Sequence, residues 1–479
     1  MTFSSITFFV FFVLVYLLIL IFNLECIRSK LSEKMQLNMK HSILLVASYV
    51  FYGWWDYRFC FLMLALTTIA WFCARKVDEK KHLKFYTSIG VICPLIVLGF
   101  FKYYNFFVGS FTELFGIENI GILNIILPVG ISFYTFQSMS YTIDVVRGNV
   151  KSYSFVDVAL YVSFFPQLVA GPIVKASEFM PQLKSNHKLT LKDFGEGIQV
   201  FVFGLFKKLV IADNLSVFVD SVFEKPMAYS SLSVILAVIS YSIQIYCDFS
   251  GYSDMAVGTA KCLGYNFSRN FNIPYISRNV SVFWKRWHIS LSTWLQEYLY
   301  IPLGGNRKGV ARTYINLMLT MILGGLWHGA SYTFVFWGLL HGLALCVHKM
   351  YMSFRKNKNP TIFGTIISTI VTYVFVCVCW VFFRADGFKV AIDVLTKMFV
   401  WSGGITHIFS WTIFSVVVLV AGHIMAYIKS HREKLSVVNG YYPLLNLNKI
   451  SHMIIFFTVI LFIVCTAYTN SNPFIYFQF

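Results

Sequence analysis

The chain has 479 residues, 57% of them hydrophobic and only 13% charged, with a mean hydropathy of +0.67. Soluble domains carry roughly 25% charged residues, so this composition excludes a soluble globular class and indicates an integral membrane protein. The net charge of +18 does not imply a nucleic-acid partner, because the Lys and Arg residues sit in short loops between apolar runs and form no single aromatic-studded basic patch.

Apolar runs near residues 4–24, 86–108, 361–383, 408–428 and 449–470 each approach the roughly 20 residues that cross about 30 Å of hydrocarbon as helix. Shorter or interrupted runs raise the expected number of crossings to about 11 or 12. The predicted fold class is therefore an all-α polytopic integral membrane protein with additional re-entrant or interfacial helices. Polar stretches such as 175–193 and 429–448 are too short for a soluble domain. Residues 1–479 read as one membrane domain.

The first run is too long for a signal-peptide core and lacks an A-x-A-like cleavage site, so it is expected to remain as a first span. Arg28, Lys30, Lys34 and Lys40 form one basic cluster, and Arg75, Lys76, Lys80, Lys81 and Lys84 form the next. The positive-inside rule puts both in the cytoplasm, with a hairpin over 42–74 between them. Loops 109–122 and 216–231, which carry Glu113, Glu118, Asp220 and Glu224, then fall outside. Two segments, 155–174 with "FFPQLVAGP" and 270–309, have basic residues at both ends and should enter and leave on one face. Irregular backbone at membrane depth survives only where protein or a water-filled cavity covers it, so both are expected to line the interior. Pro166, Gly171 and Pro172 are suitable breakers.

"YCDFSGYSDMAVG" sets Asp248, Ser250, Ser253 and Asp254 after an apolar span. The spacing is too tight for a metal loop, and Ser250 lacks both an adjacent base and a G-x-S-x-G elbow. The carboxylates either pair with Lys or Arg to hold a pocket or hydrogen-bond backbone at a helix break, and the second role is favoured. Residues 283–299 predict an amphipathic helix with Trp284, Trp287, His288, Leu291, Leu295 and Tyr298 on one face. Lys285, Arg286, Thr293, Gln296 and Glu297 take the other face. Arg307 and Lys308 in "YIPLGGNRKG" suit an anion, although a basic cytoplasmic turn is the simpler reading.

Between Arg312 and Lys349 lie thirty-six residues without formal charge, and "GGLWHGAS" near the middle holds Trp327, His328 and Ser331. A neutral imidazole suits a general base near pH 7, worth roughly 10² to 10⁴ in rate. A buried histidine satisfied by a neighbouring carbonyl is the alternative. Ten cysteines are scattered singly, so neither a disulfide frame nor a zinc site is expected.

"LPVGISFYTFQSMSYTIDVVRG" (127–148), "FFPQLVAGPIVKASEFMPQL" (164–183), "DFSGYSDMAVG" (248–258), "FWKRWHISLSTWLQEYLYIPLGG" (283–305) and "NLMLTMILGGLWHGASYTFVFWGLLHG" (316–342) together resemble the membrane-bound O-acyltransferases. Within that family the resemblance is strongest to the bacterial alginate O-acetyltransferase-like branch, which "WVFFRAD" (380–386) and the terminal "PFIYFQF" (473–479) also resemble. The resemblance implies a helical fold around a central funnel, with N-terminal helices over 1–126, a catalytic core over about 127–350 and C-terminal helices over 351–479. There an acyl thioester from the cytoplasmic side, acetyl-CoA being the expected donor substrate, meets an acceptor hydroxyl from the other side. It implies that His328 is the catalytic histidine and His288 the second active-site position. Candidate substrate-binding residues are Asp248, Ser250, Trp284, Arg286, Trp327 and Ser331, with no metal and no bound cofactor.

The implied function is O-acetylation of a cell-surface or secreted polysaccharide from a bacterial cell membrane, with membrane lipid and an extracytoplasmic acetyl-transferring protein as partners. D-alanyl transfer to teichoic acid from a carrier protein is the alternative within the enzyme class, and a solute transporter the alternative outside it. The aromatic C-terminal tail is expected as a surface strap outside the membrane, or as a dock for a partner or acceptor.

Overall fold

The computed structural model describes residues 1–479 except 26–28, 117–120, 170, 186, 355–360, 433–443, 469–473 and 476–479. Among the described residues the regular structure is helical, and eight helical runs are long and apolar enough to cross a membrane. Two compact units are formed, one by Met1–Phe201 with Met255–Phe267 and the other by Val202–Asp254 with Ser268–Phe479.

In the first unit, α1 (Ile6–Asn23) starts at Ser5, whose Oγ accepts the Phe8 N–H at 3.2 Å. Phe8, Phe11, Val15 and Ile19 recur every three or four residues and are buried, whereas Val10, Leu14 and Leu17 stay exposed. A helix that is apolar all round but packs on one stripe fits a span with lipid on its other side. The helices α2 (Glu33–Asp56), α3 (Arg58–Asp78) and α4 (Leu83–Leu98) follow. Pro94 removes an intrahelical donor from α4, and the chain passes through a π-turn at Gly99–Tyr103 before continuing as α5 (Tyr104–Phe115). Next, α6 (Ile131–Val146) packs against both α3 and α4.

The "FFPQL" stretch is irregular: α7 (Phe155–Ser163) stops before Phe164, whose ψ is 110°, and α8 (Phe165–Leu168) is only 4 residues long. Side chains satisfy this interrupted backbone. The Phe165 N–H donates to Ser48 Oγ at 3.1 Å, and Gln167 Nε2 donates to the Tyr161 carbonyl at 2.6 Å. Phe164 itself is buried against Phe179 at 5.1 Å and Tyr265 at 5.2 Å, so the irregular backbone is covered by protein. After α9 (Ala176–Lys184), Thr190 and Asp193 form a reciprocal capping box at the start of α10 (Leu191–Leu205). Asp193 also pairs with Lys261 at 3.1 Å.

The second unit is arranged around α12 (Ser231–Cys262), the 32-residue helix whose most apolar window is 78% buried; its residues up to Asp254 belong here. Between α10 and α11 (Asp213–Glu224), a π-turn at Phe206–Ala212 carries the buried pair Lys207 and Lys208. Lys208 bridges Asp213 and Asp248 at 2.7 Å each, while Lys207 meets Asp254 at 2.5 Å and donates to Ser250 Oγ at 2.8 Å. This overturns the favoured reading of the Asp248 cluster: α12 has no break there, and its carboxylates are consumed by two buried ammonium groups. Lys207 and Lys208 lie about forty residues upstream, so no local spacing announced the pairing.

Two further helices, α13 (Val280–Trp284) and α14 (Ile289–Leu295), precede the closely packed pair α15 (Val310–His328) and α16 (Tyr332–Phe354). A Cβ on Gly325 would lie 2.3 Å from the Phe334 carbonyl oxygen, and one on Gly338 would lie 2.3 Å from that of Met321. Small residues facing one another let two membrane helices approach to backbone contact. The unit is completed by α17 (Ile362–Arg384), α18 (Phe388–Phe399), α19 (Ser410–Arg432) and α20 (Ile450–Thr466).

The described part of the C-terminal tail is no surface strap. Phe474 and Ile475 are buried, Phe474 packs 4.5 Å from Tyr252, and the Ile475 N–H donates to Asp248 Oδ2 at 2.9 Å. The remaining tail residues, Pro473 and 476–479, lie outside the described residues.

Candidate active site

The segment around His288 departs from the expected continuous helix over 283–299. Asn279 caps α13, its Oδ1 accepting the Val282 N–H at 2.8 Å, and the helix ends within two turns at Trp284. His288 then adopts the left-handed conformation, φ 43° and ψ 56°, before α14 begins. For a residue other than glycine this conformation is costly and must be held by its surroundings. The holding is visible in the backbone: the Asn272 N–H donates to the Arg286 carbonyl at 2.9 Å, and the Ile289 N–H donates to the Asn270 carbonyl at 2.8 Å. The 270–272 strip thus clamps the chain on both sides of His288, overriding the helical periodicity.

His288 and His328, the latter at the C-terminal end of α15, meet in one enclosure with ring centroids 6.4 Å apart and planes at 51°. His288 is completely buried and His328 is 3% exposed. Aromatic rings form the walls. Phe249 stands edge-on to His288 at 4.6 Å, and Trp337 and Phe383 stand edge-on to His328 at 5.2 Å and 5.4 Å. Trp327 contributes to both, at 6.2 Å from His288 and 5.0 Å from His328. Burial holds the His288 imidazole, which lies outside the spanning helices, well below its ordinary value, so it is neutral near pH 7. Its Nε2 is buried without a hydrogen-bond partner among the described residues. An orphaned imidazole nitrogen beside a second imidazole is suited to receive an incoming donor such as a hydroxyl.

Beyond Phe271, whose ring stacks 6.3 Å from His288, lies a cavity of about 390 Å³. Tyr246 and Phe271 line its aromatic side, and Lys207, Asp254 and Arg269 its polar side.

The other candidates fall into two groups. Trp327 lines the enclosure, and Trp284 borders it through Trp337 at 5.6 Å, with its indole N–H donating to His341 Nδ1 at 3.3 Å. The remaining four are engaged elsewhere. Asp248 and Ser250 serve the lysine pair, Arg286 Nη1 donates to the Ile273 carbonyl at 3.4 Å, and Ser331 Oγ meets Thr333 Oγ1 at 3.1 Å where α16 starts. Asn270, Phe249, Trp337 and Phe383 border the two histidines and His341 lies behind Trp337 at 4.8 Å, and sequence reasoning missed all five. Only the nearness of Trp337 and His341 to "GGLWHGAS" on the following helix could have drawn attention to them.

The sequence profile of the membrane-bound O-acyltransferase family matches residues 135–388, which include both histidines and most of their walls. The chain belongs to the membrane-bound O-acyltransferase family. The acyltransferase is 40% identical to the probable alginate O-acetylase AlgI of Pseudomonas aeruginosa, over 75% of this chain and 70% of that one. It is also 40% identical to the peptidoglycan O-acetyltransferase of Helicobacter pylori, over 74% of this chain and 73% of the relative. To the teichoic acid D-alanyltransferase of Bacillus subtilis it is 27% identical, over 55% and 70% respectively. Family membership, together with the eight helices among the described residues that are long and apolar enough to cross a membrane, makes the protein a multi-pass membrane O-acyltransferase and displaces the transporter alternative.

Proposed function

We propose that this acyltransferase moves an acetyl group from a cytoplasmic thioester, acetyl-CoA, to the far side of a bacterial cell membrane for O-acetylation of a cell-surface or secreted polysaccharide. The observation that carries the reading is the shared burial of His288 and His328, 6.4 Å apart within aromatic walls. The equal identity to an alginate O-acetylase and to a peptidoglycan O-acetyltransferase supports acetyl as the group moved and a polysaccharide as its destination.

In the proposed reaction His328 removes the acceptor's hydroxyl proton as the oxygen attacks the thioester carbonyl. The C–S bond then breaks as the tetrahedral intermediate collapses, and the His328 imidazolium returns its proton to the departing thiolate. His288 orients the acceptor, and Trp327 and Trp284 flank the reacting groups. Exclusion of water by the aromatic walls protects the thioester from hydrolysis. An extracytoplasmic transferase takes the acetyl group onward to the polymer.

The test is thioester consumption by purified protein in detergent. His328→Ala should abolish acyl transfer while the protein stays monodisperse, and wild-type turnover in that variant would refute the assignment. The more distant D-alanyltransferase relatives favour one second reading, D-alanyl transfer to teichoic acid. Supplying acetyl and D-alanyl thioesters in parallel separates the two.

A further inference from the structure

Asn270 sits at the centre of the clamp around His288. Its Oδ1 accepts the Ser290 backbone N–H at 3.1 Å and the Ser290 hydroxyl at 2.9 Å, and it faces His288 Nδ1 at 3.2 Å. Its Nδ2 donates to Ser253 Oγ at 3.2 Å. A backbone N–H can only donate, so the amide atom that meets it must be the oxygen, and the orientation of the Asn270 side chain is fixed. An amide oxygen can only accept, so the imidazole nitrogen facing it must carry the hydrogen. In neutral imidazole the other nitrogen is then bare. That atom, Nε2, is buried and lacks a partner among the described residues.

We infer that Asn270 is a positioning residue that locks His288 as its Nδ1–H tautomer, so that Nε2 can only accept a hydrogen bond, from a donor of the acceptor molecule other than the hydroxyl proton that His328 removes, and cannot polarise the thioester carbonyl. The inference rests on the reading of His288 as an active-site group and narrows it from two roles to one. The geometry is demanding, because the same amide oxygen ties down Ser290, the second residue after the left-handed His288, and the Asn270 carbonyl ties down Ile289 between them. One residue therefore sets both the backbone strain and the protonation pattern of the ring. Among the described residues, the other titratable group in ring contact with His288 is His328.

Two substitutions and one spectrum test this. Asn270→Ala removes the acceptor for Nδ1–H, and kcat should fall about 10²-fold or more. Asn270→Asp keeps an acceptor oxygen but adds a negative charge, which favours imidazolium. It should retain turnover above neutral pH and keep the hydrogen on Nδ1. A merely structural role would leave the His288 ¹⁵N pattern the same in Asn270→Ala, whereas loss of the lock should mix the two tautomers. Wild-type kcat in Asn270→Ala, or a His288 ¹⁵N pattern unchanged by that substitution, overturns the inference.

A measurement on the unmutated chain guards against misfolded variants. In ¹⁵N-histidine-labelled protein, the resonances that vanish in His288→Ala should report a protonated Nδ1 and a bare Nε2, and the reverse pattern overturns the inference. Wild-type turnover in His288→Ala would instead remove the underlying reading. An inactive His288→Ala together with a fully active Asn270→Ala overturns the inference alone.

Discussion

His288 packs against His328 at 6.4 Å between ring centroids although forty residues and two helix starts separate them along the chain. The contact depends on a backbone kink: His288 occupies a left-handed conformation between two short helices, and His328 ends a long one. Removing either ring and removing the kink are therefore separable perturbations.

Replacing His288 separates chemistry from strain. His288→Ala and His288→Gly should both lose acyl transfer, by roughly 10² to 10⁴ in kcat. Glycine bears the left-handed backbone without a Cβ penalty, so the Gly variant should be more stable than the Ala variant by about 1 kcal/mol, read as a higher thermal midpoint in detergent. Equal midpoints would show that the position is not strained.

Lys208 holds two buried carboxylates, Asp213 and Asp248, and the second of these also receives the Ile475 N–H of the tail. Lys208→Met should leave that pair of acids uncompensated and cost about 3–5 kcal/mol, the range seen when one partner of a buried ion pair is lost. The triple variant Lys208→Met, Asp213→Asn, Asp248→Asn should recover part of that loss. Thermal unfolding in detergent measures both, and a Lys208→Met variant as stable as wild type contradicts the network.

Asp193 gives a pH dependence. Burial works against its charge, but hydrogen bonds from Thr190, His187 and Lys261 outweigh that and hold its carboxyl below the usual carboxylate range. A depressed carboxyl contributes stability that is fully present above its unfolded value, near 4, and that is lost as pH falls through the folded value. The wild-type thermal midpoint should therefore drop on acidification below about pH 4, and the Asp193→Asn variant should drop less steeply while starting lower. Parallel acid slopes in the two proteins would rule out this contribution.

Several readings were available in the sequence because they depend on local periodicity and composition. The spans near 4–24 and 361–383 emerge as Ile6–Asn23 and Ile362–Arg384, since a helix in lipid must satisfy its own backbone and needs only length and apolar residues. His328 stood out for the same reason: an imidazole in an uncharged run is conspicuous by composition alone. The order of the five motif blocks was enough to reveal the family.

What the sequence could not supply was anything decided by a partner far along the chain. Residues 283–299 carry a sound amphipathic pattern, yet hydrogen bonds from 270–272 break it at His288, because a few tertiary bonds to the backbone outweigh the small propensity differences that periodicity reports. The Asp248 cluster drew attention for its carboxylates, but their lysines come from a π-turn some forty residues earlier, and the tail that meets Asp248 comes from the other end of the chain. Chain composition determined that this protein lives in a membrane and carries a titratable ring there. Only folding decided which groups surround that ring, because distances in space between side chains on different helices are not encoded in spacing along any one of them.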